Sequence, residues 1–314
     1  MATQINQQMS MTDIVMLAGL SLLWGGSFFF VEILIAYLPP LTIVTCRVGF
    51  AALGLWAIVL VLRTPLPTTQ KQWGSLFIIG LLNNAIPFCL IVWGQTQISS
   101  GLASIINATT PIFTVLVAGV LLADERLSLP KLVGVFLGLL GTLILIGPEV
   151  LNGQTGSVLG QASVMGAAIS YAFAATYARR FKKSGLSPLI VATGQVTMAS
   201  LILIPLTLLV DGYSALLTIP TIAIGSIVGL AFFSTVLAYI LYFRLIDSAG
   251  ATNAALVTFL IPVSAISLGV IILGETFSIP HFIGMAVIGA GLITIDGRIF
   301  MAFRQTEERM DGQK

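Results

Sequence analysis

Glu32 and Arg47 are ionisable residues set inside runs of apolar residues. A charge in such surroundings is costly without a partner, and it commonly marks an ion pair, a proton relay or a ligand contact. The two residues lie toward the same ends of consecutive apolar runs, so a mutual ion pair that locks two helices together is one expectation. The other is that Glu32 takes up and releases a proton. Asp13 and Asp296 lie at the outer ends of their runs and are expected to be solvated.

Uncharged polar groups form a second set. Asn84, Phe88, Ile91 and Gln95 follow the i, i+4, i+7 spacing of one helical face, with Asn83 beside them. Pro87 lacks the N–H that would pair with the carbonyl of Asn83. Asn107, Thr109 and Thr110 precede Pro111, and Asn253 and Thr258 precede Pro262. Amides and hydroxyls at such interruptions can satisfy the ammonium and carboxylate of a zwitterion, or can simply hold helices together. Trp24, Tyr171, Trp93 and Tyr239 or Tyr242 supply aromatic faces for an apolar side chain or a cation. Packing or an interfacial belt is their other use, and Trp93, near the end of its run, fits the belt.

Other chemistry is excluded by what is missing. There is no GxxxxGK[ST], nucleophile elbow, HExxH or CxxC, and the chain has one histidine, His281. No enzyme, cofactor or metal site is expected. Cys46 and Cys89 both lie in apolar runs and read as small buried hydrophobes. The basic residues form no stripe with interleaved aromatics, so no nucleic-acid partner is expected.

The elements that position these residues follow from composition. The 314 residues are 57% hydrophobic and 8% charged, with a mean hydropathy of +1.05. An ordinary soluble domain carries roughly a quarter charged residues. So little charge cannot cover a water-facing surface, and most of the outer surface must meet lipid. Apolar runs of spanning length fall near 13–35, 41–62, 73–95, 101–122, 131–147, 158–180, 188–210, 219–243, 251–273 and 281–300. These predict an all-α integral membrane protein with ten transmembrane helices. The first ten residues contain no Lys or Arg, so the first run is expected to stay in the mature protein rather than act as a cleaved signal. With the N-terminus in the cytoplasm, every Lys and Arg except Arg47 falls on the cytoplasmic side. Both termini are then cytoplasmic, in a bacterial-type inner membrane.

The chain also repeats itself. An offset of 150 residues pairs Gly119 with Gly269, Val120 with Val270, Glu125 with Glu275 and Ser128 with Ser278. It also pairs Pro130 with Pro280, Gly134 with Gly284, Gly141 with Gly291 and Gly147 with Gly297. An offset of 149 pairs Gly101 with Gly250 and Trp93 with Tyr242. Five helices per copy is an odd number, so the second copy enters the membrane inverted. Inverted repeats are the architecture of alternating-access transport, although duplication also builds receptors and scaffolds. The glycines of the fifth and tenth runs (Gly134, Gly138 and Gly141; Gly284, Gly289 and Gly291) predict close helix contact within the scaffold or across a dimer.

Several segments together resemble the EamA-type drug/metabolite transporter family: SLLWGGSFFFVE, the arginine of TCRVGF, SSGLASIINATTPIFTVLVAG, DERLS and GATNAALVTFLIPVSAISLGVIILGETFS. Within that superfamily the layout is similar to the YddG-like amino-acid exporters. The resemblance covers the chain as two EamA repeats, 1–148 and 156–300, followed by a cytoplasmic tail, 301–314. It implies ten helices around a central cavity, a monomer or homodimer, and export of amino acids or related small metabolites. A nucleobase, a vitamin or a drug-like cation is an alternative cargo, and a non-transporting receptor or scaffold is the alternative class. The expected substrate contacts are Trp24, Asn83, Asn84, Gln95, Asn107, Tyr171, Tyr239 and Asn253, with Glu32 and Arg47 as an ion pair or coupling group.

Overall fold

The computed structural model describes residues 9–122, 129–151 and 155–296, and among them the chain is helical with no strand. In a bilayer every backbone polar group must be paired within the protein, and a helix does this within its own segment. The helices are α1 (Met11–Leu34), α2 (Pro40–Val61), α3 (Gln70–Gln95), α4 (Ser100–Leu121) and α5 (Leu129–Leu151). They continue with α6 (Thr155–Ala178), α7 (Pro188–Val210), α8 (Thr221–Ala249), α9 (Val257–Leu273) and α10 (Ile279–Asp296). Seven of these are long and apolar enough to cross a membrane; α5, α9 and α10 contribute shorter apolar stretches.

The boundaries follow local chemistry. Ser10 and Asp13 form a reciprocal capping box at α1, as do Thr69 and Gln72 at α3, while Ser99 and Ser187 cap α4 and α7. Pro40 and Pro188 occupy first-turn positions, where the missing N–H costs nothing. α8 ends at Gly250, whose φ of 84° is open chiefly to glycine.

Four helices depart from regular winding, α9 among them, whose last residues, Gly269–Leu273, form a wide turn. In α3, residues Leu81–Ala85 form a wide turn in which the Ile86 N–H bonds the Leu81 carbonyl. The expected disturbance before Pro87 takes this form. α8 contains a longer wide-turn segment, Gly229–Leu237, at the repeat-equivalent place. α4 is interrupted between Asn107 and Thr110, just before Pro111.

The packing obeys an exchange rule. α1 lies against α8 and α9, and α6 against α3 and α4; α2 packs on α8, and α7 on α3. α2 also packs on α7, and α5 runs along α10. Exchanging the two halves maps each of these contacts onto another or onto itself. Large apolar side chains cover the outside: Leu209 is 85% exposed and Val61 81%, an arrangement that water would not tolerate at this density.

Carboxylates tie helix ends across the halves. Glu275 accepts from the Ser100 N–H at 2.8 Å, the Ser100 hydroxyl at 2.6 Å and the Gly101 N–H at 3.1 Å, at the start of α4. Asp211 accepts from the N–H and hydroxyl of Thr42 in the first turn of α2, at 2.9 and 2.8 Å. Asp13 departs from the expected solvated state: it is buried, bound to Ser10 and to the Ser248 hydroxyl at 2.6 Å. The cause is α8, whose end is folded against the start of α1. The side chains of Asp296 and the structure around Glu125 lie outside the described residues.

The glycine prediction resolves residue by residue. A Cβ on Gly141 would sit 2.8 Å from the Gly284 carbonyl oxygen, and one on Gly291 2.6 Å from that of Gly134. Gly138 is closed off by Ile112 of α4, whereas Gly289 faces open space and does not belong to this contact. Glycine at 141 and 291 therefore sets the α5–α10 separation. Gly141→Val is expected to cost about 1–3 kcal/mol, as overpacking of a tight contact does. The check is a lowered unfolding temperature in detergent, with Gly289→Ala left near wild type.

Candidate functional site

The wide turn in α3 sends neighbouring asparagines in different directions. Asn83 donates to Gln195 Oε1 on α7 at 3.0 Å and so joins two helices. Asn84 is fully buried; its amide nitrogen donates to the Tyr239 hydroxyl on α8 at 3.2 Å. Its Oδ1 is buried with no hydrogen-bond partner among the described residues. Ser234, 150 residues after Asn84 and inside the wide turn of α8, is likewise buried with an unpartnered hydroxyl. Ser234 was not among the sequence candidates; the 149-residue offset that pairs Trp93 with Tyr242 takes Asn84 to its neighbour Phe233.

Glu32 and Arg47, expected to pair, have different partners. Glu32 is half-buried and accepts from Gln95 Nε2 at 3.2 Å. The same amide nitrogen donates to the Phe28 carbonyl at 2.9 Å, while Gln95 Oε1 is buried without a partner among the described residues. Arg47 is 6% exposed. Its Nε donates to the Thr235 hydroxyl at 3.2 Å, and its guanidinium carbon lies 3.7 Å from the centroid of the Phe88 ring. Residues 32 and 47 sit on neighbouring helices, but Arg47 is drawn between the wide turns of α3 and α8, away from Glu32. Thr235 escaped the sequence reading because nothing in its immediate neighbours marks it as an acceptor for a distant arginine.

The aromatic candidates occupy different surroundings. Trp24 packs on Tyr242 with ring centroids 5.3 Å apart, and Tyr239 stacks on Phe243 at 6.2 Å. Tyr171 packs against both of the large apolar cores, one built around α1, α4 and α9 and the other around α2, α3 and α7. Trp93 is 42% exposed, in keeping with the interfacial use. Asn107 sits at the interruption of α4 with Oδ1 buried and unpartnered among the described residues. Asn253 is buried and its amide donates back to the Ala249 carbonyl at 2.8 Å, which stabilises the turn between α8 and α9.

Arg47, Asn84 and Thr235, which are buried, and Trp24, Tyr171, Tyr239 and Tyr242, which are half-buried, therefore form a polar and aromatic group contributed by both halves. Glu32 with Gln95 forms a second polar point on α1 and α3. A separate cavity of about 530 Å³, lined by Cys46, Phe50, Phe232 and other apolar residues, touches none of the sequence candidates. Cys46 and Cys89 are free thiols.

A sequence model described as the EamA-like transporter family matches residues 11–147 and again 158–295. The chain belongs to the EamA-like transporter family. It is a multi-pass membrane transporter and not an enzyme, as the sequence reading expected. Among its relatives, an uncharacterized transporter of Archaeoglobus fulgidus is 26% identical over 87% of this chain and 92% of its own length. A protein of Salmonella typhimurium named a probable amino-acid metabolite efflux pump is 29% identical over 86% of this EamA chain and 89% of its own. A protein crystal structure shares the fold at a TM-score of 0.62 and 17% identity, covering 90% of this chain and 96% of the other.

The unpartnered Asn84 Oδ1 separates two roles. If Asn84 only joined helices through its bond to Tyr239, Asn84→Leu would leave the flux per folded molecule unchanged. Asn84→Leu is expected to insert and fold at wild-type levels and to lose at least about tenfold in substrate flux, the equivalent of one lost hydrogen bond to a charged group. Flux in proteoliposomes and melting temperature in detergent report the two quantities.

Proposed function

We propose that this EamA protein is a secondary transporter or facilitator that exports amino acids or related small metabolites by alternating access. The observation that carries the reading is the polar and aromatic group assembled from both repeats, flanked by a wide turn in each of the equivalent helices α3 and α8. Interrupted helices at equivalent places in two repeats are where transporters bind their cargo. The relative named for amino-acid metabolite efflux supports the cargo class.

In this reading all ten helices span, the second repeat is inverted, and both termini lie in the cytoplasm of a bacterial-type inner membrane. α10, with 18 residues, is about 27 Å long at 1.5 Å per residue, close to the hydrocarbon thickness of about 30 Å. The exchange rule in the packing supports a two-fold relation between the halves. Because the α5–α10 glycines are used inside one chain, a monomer suffices, and a homodimer would have to use other faces.

Glu32 supplies a proton-coupling group in the same scheme. Gln95 donates to Glu32 while its own Oε1 stays without a donor. A protonated Glu32 fills that gap: its O–H donates to Gln95 Oε1 while the amide still donates back, giving a closed acid–amide pair. An ionised Glu32 leaves the amide oxygen orphaned and carries an uncompensated charge.

Two measurements test the scheme. Counterflow of a radiolabelled amino-acid mixture in proteoliposomes of the full chain is expected, and no exchange of any amino acid would overturn the cargo assignment. Glu32→Gln is expected to retain counterflow and to lose the response of net flux to an imposed pH gradient. Gradient-driven flux unchanged in that variant excludes Glu32 as the coupling group.

A further inference from the structure

The buried guanidinium of Arg47 has no acid to answer it among the described residues. Its Nε is spoken for by Thr235, its face lies on Phe88, and neither of its terminal nitrogens has an acceptor among the described residues. Among the described acids, Glu32 is bound to Gln95, Asp211 to Thr42, Glu275 to the start of α4, and Asp13 to Ser10 and Ser248. Removing a guanidinium from water costs several kcal/mol, and stacking on one ring recovers only about 2 kcal/mol even when desolvated. A cation held at that cost in the interior of a membrane protein is a functional site by default.

The surroundings of Arg47 match an anionic group and not a second cation. Thr235 fixes the guanidinium from α8, and Thr235 is itself tied to the Leu230 carbonyl inside the wide turn. Phe88 fixes it from α3, one turn beyond the wide turn that carries Asn84. Thr235 thus sits inside one wide turn, and Phe88 in the regular helix that follows the other. The Asn84 amide donates to the Tyr239 hydroxyl, and its Oδ1 is an unused, fully buried acceptor.

We infer that Arg47 is the anchor for a carboxylate on the cargo, held through its two terminal nitrogens, with Asn84 Oδ1 accepting from an ammonium on the same molecule. The inference rests on the transport reading and narrows it: the cargo carries a carboxylate, and a drug-like cation without one is a poor fit. The geometry of a carboxylate suits the planar fork of arginine, which presents two parallel N–H donors where lysine presents a point charge. Arg47 acts through direct contact with the ligand, and Thr235 and Phe88 are positioning residues.

The test uses two families of probes that share a skeleton and differ in charge: L-phenylalanine, 3-phenylpropanoate and 2-phenylethylamine; and L-leucine, 4-methylpentanoate and 3-methylbutylamine. Thermal unfolding of the purified full chain in detergent is followed against the concentration of each probe. The amino acid and the carboxylate of at least one family are expected to raise the unfolding temperature, and the amines are expected not to. In Arg47→Gln the half-saturating concentration is expected to rise about tenfold or more, as loss of a charge-assisted hydrogen bond requires. Arg47→Lys, which keeps the charge and loses the fork, is expected to fall between.

Stabilisation by the amines alone, no stabilisation of wild type by any carboxylate, or equal response in Arg47→Gln each overturns the anchor. Should Arg47→Gln fail to insert, the charge preference of wild type and its weakening in Arg47→Lys decide the matter. Carboxylate-selective binding with no counterflow would keep the anchor and remove the exporter reading. Counterflow of amines with no need for a carboxylate would do the reverse.

Discussion

Hydrocarbon offers no hydrogen bonds, so every polar group that enters it must be answered from within the bundle. With 8% of residues charged, few such groups are present, and the place each one occupies carries information. Most are answered by neighbours on the same helix. Serine and threonine hydroxyls on α4, α7 and α8, such as Thr114, Thr193, Ser200 and Ser226, donate to the carbonyl four residues back and spend their polarity locally. The groups left over are the ones that join helices or wait for something else. Asn84, Gln95, Asn107 and Ser234 each retain a buried atom without a partner among the described residues, and three of the four lie in or beside an irregular turn.

Helix ends pose the same demand in another form, since the first N–H groups of each helix have no carbonyl to meet. Here the two halves answer for one another. Glu275, beyond α9, meets the start of α4; Asp211, at the end of α7, meets the first turn of α2; and Ser248 of α8 reaches Asp13 at the start of α1. A carboxylate at a helix start also meets the positive end of the helix dipole. These contacts bind one repeat to the other at the membrane edges, while the interior contact between the repeats is aromatic and polar. The ends are pinned where the dipole is strongest, and the middle is left to side chains that can exchange partners.

Much of this was legible from the order of residues, and what was not has a physical reason. Apolar runs marked the helices, because length and hydropathy are summed over some twenty residues and single errors average out. The 150-residue offset paired α5 with α10 as equivalent elements through Gly141 and Gly291, and these two glycines do meet the opposing backbone. Direction was harder. Spacing put Asn84 and Gln95 on one face, yet the wide turn at Leu81–Ala85 inserts an extra residue per turn, and Asn83 and Asn84 end on different helices, α7 and α8. Arg47 and Glu32 were neighbours by height in the membrane, but height says nothing about azimuth. The guanidinium turned toward Phe88 and Thr235, and no local pattern in the sequence announces an arginine's partner 188 residues away.

The scaffold is symmetric and its charges are not. α6, the repeat partner of α1, contains no charged residue, and α7, the partner of α2, contains none either. Glu32 and Arg47 therefore have no counterparts in the second repeat. That asymmetry has a reason if the halves exchange conformations around one ligand. Exchange needs equivalent helices that pack equally well in either arrangement, which is what glycine contacts, wide turns and apolar faces provide. The proposed ligand, in contrast, has one carboxylate and one orientation. A second guanidinium in α7 would bring two cations into the same low-dielectric interior, with mutual repulsion of about 4 kcal/mol at 4 Å and an effective dielectric of 20. Duplicating the scaffold while keeping a single Arg47 avoids that repulsion, and it leaves one repeat to hold the charged end of the cargo while the other moves past it.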